Sequence, residues 1–274
     1  MVAGAQAIGF SGADVSLLHD FPRSDFMKRK VMILSLALLG LAFVVFTALA
    51  QNKKSAAPKS VRVDVGKDKA GAESSKFLSL VGDWMVVEDG GKKVYAADGR
   101  QWLRGNPARG MAEKARTIYG SKHEDFVDNI KAFAYFPISV AKDIEDFQNG
   151  EISMKFKMVS GQLDKCAGIL FNVKPNGDYL TVRFNGKEDN LVLWTFKQGK
   201  RSFVKKGTEN VPLQLGQWYD MKIAVHGAQI EGWLNGKKLI DYTWAEPISG
   251  KVGLWSKTDS VSYFDEFTVT PMAK

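Results

Sequence analysis

The stretch that most constrains this chain runs from Phe147 to Phe203, where apolar residues fall on every second position. Ile152, Met154, Phe156 and Met158 share one side, and Glu151, Ser153, Lys155 and Lys157 share the other. Leu180, Val182 and Phe184 alternate in the same way with Tyr179, Thr181, Arg183 and Asn185. A period of two marks a strand with one buried face, because successive side chains leave a pleated backbone on opposite sides. Between the runs stand Val159-Ser160-Gly161, Pro175-Asn176-Gly177-Asp178, Asn185-Gly186 and Gln198-Gly199. Such pairs supply the positive φ that tight hairpins require. The pattern predicts an antiparallel meander.

The alternation continues to the C-terminus. Tyr219, Met221, Ile223 and Val225 form one inward set, Asn235-Gly236 marks a hairpin, and Gly250–Trp255 and Tyr263–Val269 read as two closing strands. Upstream, Gly82–Val87 and Lys92–Tyr95 read as strand, turn, strand. About a dozen short strands at regular spacing imply an all-β, two-sheet antiparallel sandwich or jelly roll. Residues 99–137 interrupt this pattern. Met111 to Tyr119 predicts one short helix with Gly120 just past its end. His123 among Glu124, Asp125 and Asp128 matches no metal-ligand spacing and reads as a solvated loop. Phe133–Pro137 reads as apolar packing against the sheet.

The N-terminal quarter differs. Met27-Lys28-Arg29-Lys30 precedes an apolar run from Val31 to Ala50 that ends Ala48-Leu49-Ala50 before Gln51. Basic residues, an apolar run and Ala-x-Ala describe a secretory signal peptide. The run also reaches the roughly 20 residues that span a bilayer, so an uncleaved signal anchor is the alternative. Either reading puts the remainder outside the cytoplasm, periplasmic or secreted in one case and anchored to the inner membrane in the other. The long lead before Met27 raises a second start site there. Residues 51–76, rich in Lys, Ala, Ser and Gly, read as a disordered linker, so the domain is expected over 77–271.

The net charge of +8 is spread along polar strand faces rather than bunched, and no nucleic-acid motif is present. A single cysteine, Cys166, excludes an internal disulfide and stands in an apolar strand without metal-ligand neighbours.

Several phrases taken in order carry a resemblance. They are Gly150-Glu151-Ile152, Gly168–Asn172, Asp178-Tyr179-Leu180 with Arg183 and Asn185, Gln217-Trp218-Tyr219, Leu234–Lys237 and Gly253-Leu254-Trp255-Ser256-Lys257-x-Asp259-Ser260-Val261-x-Tyr263-Phe264-Asp265. Together they resemble the concanavalin A-like lectin/glucanase superfamily. Within it the match is to the bacterial 3-keto-disaccharide hydrolase domain group, which is similar to family-16 glycoside hydrolases. The resemblance implies two curved sheets with a glycan met on the concave one. It departs from the pattern in two places. No Glu-x-Asp-x-x-Glu strand is present, and Asn172 stands where related sequences tend to carry arginine. Retaining hydrolysis needs two carboxyl groups about 5–5.5 Å apart. Adjacent acids such as Glu188-Asp189 and Asp265-Glu266 are expected to split between faces.

Three functions follow as expectations. The first is carbohydrate binding by Tyr179, Arg183 and Asn185, with Trp194 and Trp255 as sugar platforms. The second is cleavage of a 3-keto-glycoside by elimination, with Arg183 and Glu188 as candidate catalytic residues; the keto group acidifies the neighbouring C–H, so one base and one cation suffice. The third is a non-catalytic envelope interaction protein. No cofactor is required. A structural calcium is a candidate at Asp259 and Asp265, near Asp83 or Gly82, since calcium takes several carboxylate and carbonyl oxygens.

Overall fold

The computed structural model describes residues 59–100, 110–131 and 136–272. The lead, the apolar run, the start-site question and Phe133–Tyr135 lie outside the described residues. Two antiparallel sheets form the domain. The first has the order β13 (Lys237–Thr243), β12 (Gln229–Leu234), β11 (Trp218–His226), β6 (Gly150–Ser160), β15 (Val261–Pro271), β4 (Lys92–Asp98) and β3 (Asp83–Asp89). β1 (Val61–Arg62) also pairs with β15, making it eight-stranded. The second has seven strands in the order β10 (Lys200–Lys206), β9 (Asn190–Lys197), β8 (Tyr179–Asn185), β7 (Cys166–Val173), β14 (Lys251–Trp255), β5 (Ile138–Ala141) and β2 (Phe77–Val81).

The expected alternation sets the inner faces. Ile152, Met154, Phe156 and Met158 of β6 pack with Leu180, Val182 and Phe184 of β8 and with Met221, Ile223 and Val225 of β11 in one apolar core. Non-directional burial of this kind supplies most of the stabilisation of a sandwich. At Asn235-Gly236 both residues take positive φ, 48° and 77°, as a two-residue hairpin of β12 and β13 demands.

Three expectations are corrected. Residues 61–76 do not behave as a linker. β1 pairs Val61 with Val269, Val63 and Val65 are buried in the main core, and Asp68 anchors the next turn through the hydroxyls of Ser74 (2.7 Å) and Ser75 (2.6 Å). The stretch after Gly120 is not a loop. Helix α1 (Met111–Tyr119) passes through a 3-10 turn, Gly120–Lys122, into α2 (His123–Lys131). The acids Glu124 and Asp125 occupy the first turn of α2, where they complement the helix dipole. His123 holds the preceding turn through Nδ1, 2.8 Å from the carbonyl of Gly120. The third correction concerns the outer face of the seven-stranded sheet, which is not wholly open. Met111, Ala115, Phe126 and Ile130 of the helices cover Leu170, Tyr179, Phe196 and Trp255 and form a second apolar cluster.

Candidate functional site

The covered face separates the expected binding residues. Tyr179 stacks on Phe196 with ring centroids 4.2 Å apart, and Trp255 stacks on Phe136 at 5.3 Å. Both are almost wholly buried, so neither offers a ring to a sugar. The alternation identified the face correctly but gave no sign of the layer above it. Among the described residues the Trp255 Nε1 has no hydrogen-bond partner, a rare state for a buried donor.

Toward the β8–β9 turn the same face becomes polar. Arg183 is buried, yet its guanidinium forks. Nη1 donates to Asn190 Oδ1 (2.6 Å) and more weakly to the Asn190 carbonyl (3.3 Å), and Nη2 donates to Glu188 Oε2 (2.9 Å). The hairpin makes this possible. Asn185 pairs with Asn190 and Arg183 with Val192, so Asn190 and Glu188 are carried back over the Arg183 side chain. Gly168 lies opposite Arg183 on β7, and any Cβ there would sit 2.9 Å from the Arg183 Cβ. Burial works to raise the Glu188 pKa, but the Arg183 charge and hydrogen bond outweigh it and hold the carboxyl below its usual range.

Half-buried Trp194 stands beside this fork. The Arg183 guanidinium lies 5.8 Å from its ring centre and that of Arg201, an exposed residue of β10, lies 4.5 Å away. Phe203 meets the same ring edge-on at 5.7 Å and is 59% exposed.

Asn185 is buried and serves the adjoining network. It donates to Asp164 Oδ1 at 3.2 Å. Lys257 Nζ (3.0 Å) and Thr258 Oγ1 (2.9 Å) complete the Asp164 carboxylate. Asp259 next door is held by backbone donors. Its two oxygens accept the backbone N–H groups of Gln162 (2.6 Å), Leu163 (3.0 Å) and Asp164 (3.0 Å). Asp265 lies on the eight-stranded sheet and faces Lys92 at 3.9 Å. Among the described residues no three His, Cys, Asp or Glu side chains converge as a metal site. The run from Ser256 to Ser262 is a structural clasp: the hydroxyls of Ser256 (3.0 Å) and Ser262 (2.8 Å) donate to the Cys166 carbonyl, while Ser260 Oγ accepts its N–H at 3.0 Å.

The structure therefore brings Arg183, Glu188 and Trp194 together, with Asn185 adjacent, and sets Tyr179 and Trp255 apart. Sequence reasoning missed Asn190, Arg201 and Lys257. The register of the Asn185-Gly186 hairpin and the alternation beyond Gln198-Gly199 carry the signal for the first two; for Lys257 the signal is its place in the Gly253–Asp265 phrase, which carries no role for it. A guanidinium, an ammonium and a half-exposed carboxylate beside an indole can donate to and accept from hydroxyl groups while an apolar ring face is held against the tryptophan.

Comparison with known proteins gives the wider setting. Residues 139–270 match the model of the 3-keto-alpha-glucoside-1,2-lyase-like domain. No curated protein matches the sequence. Among solved structures, the carbohydrate-binding module CBM66 from Bacillus subtilis is 12% identical, with 73% of this chain and 99% of that chain covered and a TM-score of 0.50. A Bacillus subtilis protein of unknown function with a galectin-like fold is 11% identical, covering 81% and 99%, at 0.49. The beta-glucanase of Bacillus licheniformis is 10% identical, covering 50% and 72%, at 0.39. Residues 139–270 are thus similar to the 3-keto-alpha-glucoside-1,2-lyase-like domain, and the two-sheet sandwich that carries them is the fold shared with CBM66.

Proposed function

We propose that this domain binds a carbohydrate at the polar end of the outer face of the seven-stranded sheet, around Arg183, Glu188, Asn190, Trp194 and Arg201. The observation that carries the reading is the buried Arg183 fork, fixed by Asn190 and Glu188 beside a half-buried tryptophan. Preorganised donors beside an aromatic surface suit a hydroxyl-rich ring, because few groups need reordering on binding. The family match supports a glycoside as ligand. We place the domain outside the cytoplasm, on the strength of the signal-like run ending at Ala50.

The test is a glycan titration of the full chain by calorimetry, comparing wild type with Arg183→Ala and Trp194→Ala. Both variants are expected to lose affinity at least roughly tenfold. Unchanged affinity in both would remove the site.

A second reading, elimination of a 3-keto-glycoside, rests on the same pair. Glu188 would take the proton next to the keto carbon, and Arg183 or Lys257 would steady the negative charge on the keto oxygen. The electron pair would then form the carbon–carbon double bond and expel the glycosidic oxygen, which takes the proton back from Glu188 as it leaves. The depressed Glu188 pKa keeps the carboxylate ionised but makes it a weak base, which is why binding leads. Turnover of a 3-keto-glucoside that disappears in Glu188→Gln while glycan affinity persists would promote this reading.

A further inference from the structure

The outer face of the eight-stranded sheet, on the opposite side of the sandwich, is not a level surface of cross-strand charge pairs. Two adjoining cavities of about 410 and 250 Å³ lie on it and share Lys155 and Glu266. The larger falls within the size range of small-molecule sites, roughly 300–1,000 Å³. Trp233 lines the larger and Trp218 the smaller.

The groove is framed rigidly. Lys157 belongs to the polar face of β6, yet its side chain is only 10% exposed. Its ammonium lies between the rings of Trp218 (5.2 Å) and Tyr263 (5.1 Å) and is ion-paired with Asp89. Asp89 also accepts the Trp218 indole N–H at 3.2 Å. At the other end Lys222 sits 4.8 Å from the Trp233 ring centre, and the Trp233 N–H reaches Glu231 at 3.3 Å.

A backbone irregularity shapes the middle. The pairing of β15 with β6 slips between Asp265 and Thr268, and Glu266 takes φ 54°. A glutamate in the left-handed region is costly and persists where surrounding structure holds it, often at a ligand site. The bulge overturns the expectation that Asp265 and Glu266 split between faces. Both line the smaller cavity, and both charges bear on Lys155, whose pKa is raised first by its hydrogen bond to Asp220.

The acids here already have their bases. Asp220 meets Lys155 at 2.7 Å, Asp89 meets Lys157, Asp265 meets Lys92 and Glu266 meets Arg62, the last two loosely at 3.9 Å. An ion entering such a balanced set gains little net attraction. Hydroxyl groups, which donate and accept, can use the spare lone pairs and protons of every member.

We propose that this groove is a second carbohydrate site, taking a neutral sugar whose ring lies on Trp233 and whose hydroxyls bond Lys155, Asp220 and Glu266. It stands independently of the site around Arg183.

The test uses the indole N–H resonances of the full chain, whose seven tryptophans are assigned by single Trp→Phe variants. The probes are maltose, cellobiose and laminaribiose. At least one is expected to shift the Trp233 and Trp218 resonances saturably. Trp233→Ala and, separately, Glu266→Ala should weaken that binding roughly tenfold, while Arg183→Ala leaves it within about twofold. If no probe moves these two resonances, or if shifts survive both variants, the second site is wrong. A probe that moves only Trp194 overturns it too, and speaks for the Arg183 site instead.

Discussion

Arg183 and Glu188 are joined at 2.9 Å, yet their side chains differ sharply in exposure, 5% against 48%. The guanidinium is committed to the fold and the carboxylate still meets solvent, so substitutions on the two sides should act differently. Glu188→Ala leaves a buried cation with Asn190 as its remaining hydrogen-bond partner among the described residues, at a cost of about 1–3 kcal/mol. Arg183→Lys keeps the charge but cannot fork, since an ammonium is a compact point charge. It should cost at least as much stability, about 1–3 kcal/mol, because the buried Asn190 acceptor and Glu188 lose their fork, and lose glycan affinity roughly tenfold. Chemical denaturation and calorimetry on both variants check this; loss of affinity in neither would detach the pair from binding.

Asp259 governs the acid limit of the clasp. Burial pushes its pKa up, but the backbone N–H groups of Gln162, Leu163 and Asp164 prevail and hold it below the usual aspartate range. The folded value is lower than the unfolded one, about 3.9. The stabilisation is therefore complete above that unfolded value and is lost as pH falls through the folded value. Asp259→Asn places an amide NH₂ against N–H donors and should cost about 1–3 kcal/mol at neutral pH. It should also flatten the acid arm of the stability profile. A variant whose profile tracks wild type below pH 4 would show that the clasp contributes nothing there.

Which parts of this were legible follows from what each pattern encodes. Alternation names the two faces of a strand, so the inner faces of β6, β8 and β11 could be read directly. Alternation does not say what lies over the other face. Tyr179 and Trp255 therefore looked available, although Phe126 and Phe136 bring an apolar layer to them. α2 was hidden because its apolar stripe is short, Phe126 and Ile130 with half-buried Val127 beside them; the acids at its start were the available signal. Val61, Val63 and Val65 alternate too briefly among lysines and glycines to stand out, yet the last two reach the core. The bulge at Glu266 was illegible because register belongs to the partner strand, and one slipped residue changes which side chains share a face.

Cys166 should be inert while the domain is folded. Burial pushes its thiol pKa up to about 12, and the nearby Arg183 charge does not offset this. The thiolate is the reactive form, so native protein at pH 8 should react with a thiol reagent such as DTNB only through opening of the fold. In denaturant one equivalent should react at once. Rapid native labelling at a rate insensitive to stabilising conditions would mean that the β7 start is not closed by the Ser256–Ser262 clasp.

The helical layer should behave as an integral wall of the seven-stranded sheet. Phe126 is fully buried against Tyr119, 4.9 Å between ring centres, and belongs to the cluster that contains Trp255. α2 is also keyed to the β7–β8 turn. The Asn129 amide donates to the Asn176 carbonyl, and a Cβ on Gly177 would lie 2.9 Å from the Asn129 Cβ. Phe126→Ala should therefore cost about 3–5 kcal/mol, the range for a buried aromatic. Glu124→Ala, on the exposed side of the same helix, should stay within about 0.5 kcal/mol. Loosening this wall also opens the indole of Trp255, whose N–H has no partner among the described residues. In Phe126→Ala the indole N–H of Trp255, assigned through Trp255→Phe, should exchange with solvent deuterium faster than in wild type, by more than the loss of global stability accounts for. A variant that is destabilised with that exchange following global unfolding alone would place Phe126 in the general core and leave the helices as a passive cover.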